Sequence, residues 1–291
     1  MATDIPSDYL LVAFNNPAAI RVYRINADGT AGAEVTQTAP LDAGIFPHQV
    51  LAAPDNRIVI VPTRGHDPAP GKPEAPGSLK VFQYAGGQLN NEVSIAPNGG
   101  YGFGPRHLDF HPTNPWVYVS LERQNALDLF ERDGEALAAT SRFRENTLAG
   151  PRTPGVRQLA GAVHVHPSGR FVYVANRASD TAECTGQRVF AGGENSIAVF
   201  AIDPATGKPT PLQHADTHGI HPRTFHIDPS GRLMVVAHIM GLPVRDGNSV
   251  GYVPMRLSVF RIGADGALVF LRAYDVESRG STMWWMGMVA L

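Results

Sequence analysis

The sequence predicts an all-β protein built from repeated four-stranded antiparallel units. Three observations support this fold class: short runs of alternating apolar and polar residues, turn prolines at nearly regular spacing, and almost no helical periodicity. No segment long enough to be a crossover helix separates the predicted strands, so parallel α/β folds are disfavoured.

A β-hairpin is the first half of each repeat. Four segments align without gaps on their turn prolines, which are 58, 55 and 62 residues apart. Each segment contains an alternating strand, a turn such as Pro-Ser-Gly, and a second strand, which is the pattern of a β-hairpin. The turn prolines are Pro54, Pro112, Pro167 and Pro229.

A second strand–turn–strand element completes each repeat. Stretches such as "LKVFQYAGGQL" and "LSVFRIGADGAL" place a Gly-bearing turn between two further strands. Four strands in about 55 residues match the size of a β-propeller blade. We therefore predict that residues 1–291 form a single β-propeller domain.

The two ends of the chain predict a shared blade. The N-terminal "DYLLVAFN" matches the second strand of a blade, and the C-terminal "TMWWMGMVAL" matches a first strand. The chain then encodes about five blades, with its first and last strands in one blade, which hides sheet edges. We expect Trp284 and Trp285 to pack between blades.

Three Gly- and Pro-rich insertions are predicted to be loops between the second and third strands of a blade. They span residues 65–78, 178–195 and 239–255. A binding surface on one face of the propeller and tolerated insertions without function are equally favoured interpretations.

Composition narrows the function classes. The formal net charge of −2 provides no field for nucleic acid or an acidic membrane surface. Cys184 is the only cysteine, so no intramolecular disulfide forms. The sequence contains neither an apolar run of about 18 residues nor a secretory signal at its start. We expect a cytoplasmic protein, or a periplasmic one if the sequence begins late; the oligomeric state is not indicated.

The repeat alignment brings charged side chains to one level of the predicted propeller. The positions six residues before the turn prolines are His48, Arg106, Gly161 and Arg223. Innermost strands begin around the central channel, so equivalent positions in successive blades approach one another. These residues predict a cationic rim.

The positions ten residues after the turn prolines add a carboxylate. They are Arg64, Glu122, Arg177 and Ile239. A carboxylate close to guanidinium groups and imidazoles is a candidate base for activating water. The alternative is that Glu122 pairs with Arg106 only to hold two blades together.

Other histidines are predicted to have structural roles. His111 and His166 directly precede turn prolines, which favours a role in the turns. His164 and His166 form an H-x-H pair of the kind that binds metals, but no convergent carboxylates accompany them, so a metal site is disfavoured.

The stretches "GFGPRHLDFHPTNPWVYVSLE" and "HPRTFHIDPSGR" resemble the lactonase family of β-propellers. That family includes bacterial propeller-type 6-phosphogluconolactonases and fungal carboxymuconate lactonizing enzymes, and the resemblance extends over nearly the whole chain. It implies an active site in a central cleft with catalytic residues at His48, Arg106 and Glu122. It also implies a second anion-binding arginine at Arg223.

Two departures from the family pattern matter. The family ring has seven blades, so an N-terminal truncation is the favoured interpretation, and a smaller closed ring is the alternative. After "VPTR" the family continues into an Asp-Arg pair, whereas this chain has a proline-rich insertion. Specificity for phosphogluconolactone is therefore not implied.

The predicted reaction is hydrolysis of a sugar-acid lactone that carries an anionic group, without a metal or cofactor. Glu122 is the predicted general base, and Arg106 and His48 donate to the developing oxyanion or the leaving ring oxygen. Substrate binding is assigned to His107, Arg177 and Arg223. Cycloisomerisation of a muconate and a non-catalytic binding scaffold are the alternative functions.

Overall fold

Antiparallel β-sheets make up almost all regular structure of this protein. The computed structural model describes residues 1–184, 186–277 and 279–288. The chain divides into two compact units. The first unit contains residues 1–124 and 128–144, and the second contains residues 125–127 and 145–291.

Three sheets form along residues 1–146, and in each one the strands pair antiparallel. The first sheet contains β1 (Ala2–Thr3), β2 (Tyr9–Asn15), β3 (Ala18–Ile25) and β4 (Ala31–Glu34). The second contains β5 (Leu51–Ala52), β6 (Ile58–Thr63), β7 (Ser78–Ala85) and β8 (Gln88–Ile95). The third contains β9 (Pro105–Phe110), β10 (Trp116–Leu121), β11 (Ala126–Asp133) and β12 (Ala136–Leu137), with β13 (Phe143–Asn146) also paired to β11.

Two sheets and two hairpins follow in the second unit. One sheet contains β14 (Leu159–Val165), β15 (Phe171–Arg177), β18 (Ser196–Ile202) and β19 (Pro209–Asp216), with the hairpin β16 (Thr181–Cys184) and β17 (Gln187–Phe190) between its second and third strands. The other contains β20 (Ile220–Ile227), β21 (Leu233–Met240), β24 (Arg256–Ile262) and β25 (Leu268–Asp275), interrupted likewise by β22 (Leu242–Asp246) and β23 (Ser249–Val253).

The predicted fold class is confirmed. Five sheets of four or five antiparallel strands, in sequential order, lie within the described residues, as expected for about five propeller blades. Helical structure in the same residues is limited to one 3₁₀ turn, Pro97–Gly100. No described helix has the length and apolar character needed to cross a bilayer.

Apolar side chains from neighbouring sheets form the core within each unit. In the first unit, Val22, Val59 and Phe82 lie in one buried cluster. In the second, Tyr173 and Phe260 belong to another. β6 and β10 are buried at every position, because side chains alternate between two faces and both faces are covered.

The hairpin turns use the residues that the sequence predicted. His111 Nδ1 accepts hydrogen bonds from the backbone N–H groups of Thr113 and Asn114, at 3.2 and 2.9 Å. His166 Nδ1 accepts one from the Ser168 N–H at 3.1 Å. These bonds satisfy turn backbone donors, so the predicted turn roles of His111 and His166 are confirmed.

A β-bulge recurs in the first hairpin of the repeats, at the aligned positions. In the third sheet, His107 pairs with Ser120 and Pro105 with Leu121, which leaves Arg106 as the extra residue. In the fifth sheet, Arg223 is the extra residue between Pro222 and Thr224 in the same way. Bulges twist a strand and change the direction of the extra side chain, so this irregularity sets where each arginine points.

The fourth and second sheets carry a similar shift. The pairing of β14 with β15 loses register between Ala160 and Val163, a stretch that includes Gly161. In the second sheet, Pro47 pairs with Thr63 and Leu51 pairs with Ile60. The register of the two strands therefore also shifts by one residue between these pairs. His48 lies within that stretch. The positions six residues before the turn prolines therefore lie at the same distance from the turn, and each lies at or near a shift in the strand pairing.

The first sheet contains one strand more than the sequence predicted. The first sheet has its own fourth strand, because β1 pairs with β2 through Ala2 and Leu11, and two residues are too few to show a period in sequence. Residues 281–288 form no strand, and residues 289–291 lie outside the described residues. Trp284 and Trp285 are more than half exposed, so their predicted packing between blades is wrong. A single domain with a shared blade stays a prediction.

The three insertions lie between second and third strands, as predicted. Two of them form the hairpins β16–β17 and β22–β23 instead of irregular loops. The insertion after β6 is fastened by isolated bridges between His66 and Ala75 and between Ala69 and Lys72.

Candidate active site

A buried ion pair joins Arg106 and Glu122 in the first unit. Arg106 lies at the bulge of β9, and Glu122 directly follows β10, where its N–H donates to the carbonyl of Gly104 at 2.9 Å. Arg106 Nε lies 3.2 Å from Glu122 Oε1. The two residues are 1% and 3% exposed, so their charges interact with little screening by water.

Arg64 is the second cationic partner of Glu122. It follows β6, and its Nη1 donates to Glu122 Oε2 at 2.5 Å. Its side chain is 14% exposed, compared with 4% for the carboxylate. Each oxygen of Glu122 therefore contacts a different guanidinium group, and the three side chains together carry one excess positive charge.

His48 and His107 lie beside the three charged side chains. The His48 N–H donates to the carbonyl of Pro62 at 2.9 Å, which fixes His48 next to β6. The rings of His48 and His107 meet edge to face, with centroids 5.2 Å apart. The structure thus brings together four of the predicted site residues, all in the first unit: His48, Arg106, His107 and Glu122.

Arg106 also contacts His107. Its Nη1 lies 3.2 Å from His107 Nδ1 and 3.4 Å from Nε2. The Arg106 guanidinium group therefore contacts both the Glu122 carboxylate and the imidazole ring of His107.

Phe46 forms an apolar wall of the cluster. Its ring lies 4.7 Å from Arg64 Cζ, and its carbonyl accepts from the Arg64 N–H at 3.1 Å. Its φ of 59° is unusual for a non-glycine residue and turns the chain sharply before His48. An aromatic face under a guanidinium group contributes cation–π attraction.

The glycine-rich approach to Arg106 is required by close packing. Gly100 has a φ of 85°, and a Cβ on it would lie 2.4 Å from the carbonyl oxygen of Gly77. Gly102 has a φ of 66° but open space around it. These two glycines let the chain turn sharply before Arg106, and Gly100 also permits close contact with a neighbouring backbone.

Arg177 lies in the second unit, in a hydrogen-bonded chain. It ends β15 and is buried, and its Nη1 contacts His221 Nε2 at 2.8 Å. His221 Nδ1 contacts the Ser179 hydroxyl at 2.9 Å. Because Arg177 can only donate, His221 Nε2 accepts and Nδ1 carries the proton toward Ser179. His221 is therefore not placed as a base for the Ser179 hydroxyl.

Arg223 also lies in the second unit, at the bulge of β20. Its Cζ is 4.7 Å from the ring of Trp284. The predicted substrate-binding roles of Arg177 and Arg223 stay predictions, as do the catalytic roles assigned to the cluster in the first unit.

Sequence reasoning missed Arg64 as a partner of Glu122, although a signal was available. Arg64 and Glu122 occupy the same position relative to their turn prolines, and that equivalence predicted neighbouring positions. It also missed Ser179 and His221, which carry no comparable repeat signal. Within residues 1–184, 186–277 and 279–288, no three His, Cys, Asp or Glu side chains are grouped to hold a metal ion.

Comparison with known protein families gives one extended match. The family model described as "Lactonase, 7-bladed beta-propeller" matches residues 1–240. This range includes every site residue predicted from the sequence.

Curated relatives carry the name 6-phosphogluconolactonase. One, from Bacillus subtilis (strain 168), is 27% identical over 249 residues, which cover 82% of this chain and 62% of the relative. Another, from Serratia proteamaculans (strain 568), is 25% identical and is covered over 74% of its length. This chain thus spans less than two thirds of the Bacillus protein.

Solved structures show the same fold. The periplasmic gluconolactonase PpgL of Pseudomonas aeruginosa superimposes with a TM-score of 0.68 at 24% identity, over 96% of this chain and 70% of that one. A Lactobacillus plantarum protein gives a TM-score of 0.64 at 23% identity, covering 93% of this chain and 69% of that one.

Proposed function

The chain belongs to the lactonase family of seven-bladed β-propellers, and from this premise we propose that it hydrolyses a lactone of the sugar-acid type. The names of the curated relatives support this reaction class. The cluster of Glu122 with Arg106 and Arg64 is the observation that carries the proposal, because it places a carboxylate beside two guanidinium groups of opposite charge.

Lactone hydrolysis needs a base for water and donors for the oxygen that becomes negative. Glu122 removes a proton from water while the water oxygen bonds to the lactone carbonyl carbon. Arg106 and His48 donate to the carbonyl oxygen as it becomes an oxyanion. The bond from the carbonyl carbon to the ring oxygen then breaks, and the proton passes from Glu122 to the leaving oxygen.

Burial supports this assignment of roles. Arg106 is almost fully buried and fixed by the bulge, so it needs little reorganisation as charge develops on the substrate. His48 is half-buried, its backbone is held by the Pro62 carbonyl, and its ring packs against Phe46 and His107. The proposal includes a substrate that carries an anionic group and a location in the cytoplasm, with the periplasm as the alternative.

Glu122→Gln tests the proposal because it removes the base and keeps the shape of the side chain. We expect the enzymatic rate of δ-lactone hydrolysis, corrected for the spontaneous rate, to fall roughly 10²- to 10⁴-fold. Glu122→Asp retains the charge at a shorter reach, so partial activity is expected.

Asp128→Asn is the matched control. Asp128 is a buried carboxylate in the same unit that pairs with Arg144 through both oxygens, at 2.6 and 2.7 Å, outside the cluster. We expect it to leave the rate within a few-fold of wild type. A folded Glu122→Gln variant with the wild-type rate removes Glu122 from the mechanism. A folded wild-type chain that hydrolyses no lactone overturns the proposed function and favours a non-catalytic scaffold.

A further inference from the structure

Arg64 is the most exposed member of the charged cluster. Its side chain is 14% exposed, whereas those of Arg106 and Glu122 are 1% and 4% exposed. A general base must lie within hydrogen-bond reach of the water it activates. Glu122 is nearly covered in the free protein, so a neighbouring group has to move before water reaches its carboxylate. Of the two arginines that contact Glu122, Arg64 lies nearer to solvent.

The contact of Arg64 with Glu122 has one point of attachment. Nη1 alone donates to Oε2, and Arg64 Nε is buried with no hydrogen-bond partner in the described part of the chain. By contrast, Arg144 holds Asp128 through Nε and Nη2 together. A two-point fork fixes a guanidinium group more firmly than a single contact does. Arg64 is therefore attached to its carboxylate by one hydrogen bond, whereas Arg144 is attached by two.

Phe46 provides a surface along which Arg64 is able to shift. The guanidinium carbon lies 4.7 Å from the centroid of the Phe46 ring. Stacking on an aromatic face tolerates small lateral displacement, because the attraction is spread over the ring. Arg106 meanwhile keeps its contact with Oε1, so the carboxylate remains oriented when Arg64 leaves.

The charge balance favours an anionic ligand as the cause of this shift. Two guanidinium groups and one carboxylate leave one positive charge in excess at the cluster. A second anion near Arg64 competes with Glu122 for the same donor, and charge-assisted bonds of guanidinium to phosphate or carboxylate are strong.

We propose that Arg64 is a displaceable counter-ion of Glu122. The anionic group of a lactone draws Arg64 away and uncovers Oε2 for the attacking water. Arg64 is thus a positioning residue that couples the binding of an anion to exposure of the base. This inference rests on the lactone hydrolysis proposed above, and the reaction steps and proton transfers are unchanged.

Wild type and Arg64→Met are compared on two probes, glucono-δ-lactone and its 6-phosphate. For the phosphorylated lactone we expect kcat/KM of the variant to fall about tenfold or more, because a charged contact is lost. For the neutral lactone we expect kcat/KM to rise, because the Arg64 guanidinium group no longer covers Oε2. Inorganic phosphate should accelerate wild-type hydrolysis of the neutral lactone and have no such effect on Arg64→Met.

A merely structural Arg64 gives a different pattern. Equal losses on both lactones in a folded variant, or unchanged kinetics together with an unchanged phosphate response, overturn the inference. Arg144→Met is the matched control, since it breaks another arginine–carboxylate pair of this unit, and it should retain the phosphate response. If wild type hydrolyses neither lactone, the proposed function fails. If wild type hydrolyses both and Arg64→Met matches it, only the role of Arg64 fails.

Discussion

Arg64 and Glu122 occupy the same position in consecutive repeats and form an ion pair with each other. They are 58 residues apart, which equals the distance between their turn prolines, Pro54 and Pro112. Each directly follows the second strand of its sheet, so equal register places both side chains at the same end of neighbouring strands. A regular repeat therefore converts a distance in sequence into a contact between opposite charges.

Arg106→Met should destabilise the protein by about 3–5 kcal/mol, because it leaves Glu122 buried with one of its cationic partners removed. Urea unfolding monitored by circular dichroism measures the change. Arg21→Met is the control, since the pair of Arg21 with Glu34 is nearly half exposed and should contribute about 1 kcal/mol or less. Equal effects of the two substitutions contradict the view that Arg106 and Glu122 form a strongly coupled buried pair.

Gly100→Ala should cost more stability than Gly102→Ala. Both glycines have positive φ, so each alanine meets backbone strain of about 1–2 kcal/mol. Only at position 100 does the new Cβ also collide with backbone, at 2.4 Å from the Gly77 carbonyl. Thermal unfolding of the two variants compares them directly. A Tm for Gly100→Ala equal to or above that of Gly102→Ala shows that this contact relaxes without cost.

Stability should fall as the pH is lowered from about 6.5 to about 4 because of His238. Burial lowers the pKa of His238 from 6.5 to about 4, and its Nδ1 donates to the carbonyl of Arg256 at 3.0 Å. In this window the unfolded chain binds a proton that the folded chain does not, which costs the folded state up to roughly 3 kcal/mol.

His238→Gln should reduce this pH dependence, because the variant lacks the titrating ring. Urea unfolding at about pH 7 and about pH 5 gives the comparison. His66→Asn, at an exposed histidine of the other unit, should keep the wild-type slope. If the free energy of unfolding of His238→Gln changes with pH as much as that of wild type, other groups cause the acid sensitivity.

Arg223→Met should raise KM for an anionic lactone about tenfold, with a smaller effect on kcat, if Arg223 binds the substrate as predicted. Arg223 is half-buried and lies against an exposed tryptophan, so circular dichroism of the variant is recorded first to verify that it is folded. Trp284→Ala is the control for the loss of that ring contact. A loss confined to kcat instead assigns Arg223 to the chemical step.

The fold was largely predictable because its signals are local and repeated. Alternating strands, prolines at the turns and glycines after them recur in successive units, so each unit supports the interpretation of the others. The two-residue strand β1 was missed because so short a segment shows no period. The hairpins within the insertions were missed because their strands are only four or five residues long and almost none of their residues is buried, so no buried face imposes alternation.

The sequence predicted which residues form the candidate site better than it predicted which of them contact one another. The aligned positions identified His48, Arg106 and Glu122, and these lie together in the first unit. The pairing with Arg64 depends on how far a long side chain extends across two sheets, which spacing alone does not determine. The contact of Arg177 with His221 depends on a left-handed backbone conformation at His221, which no residue pattern there indicated.

The bulge shared by the hairpins has an evolutionary consequence. The register of the two strands shifts at this position, and both arginine and glycine occupy it while the pairing on either side is kept. Each repeated unit therefore has one position where the side chain is able to differ while the strand pairing is kept. New substrate preferences are then accessible through single substitutions at these positions, before any loop has to be rebuilt.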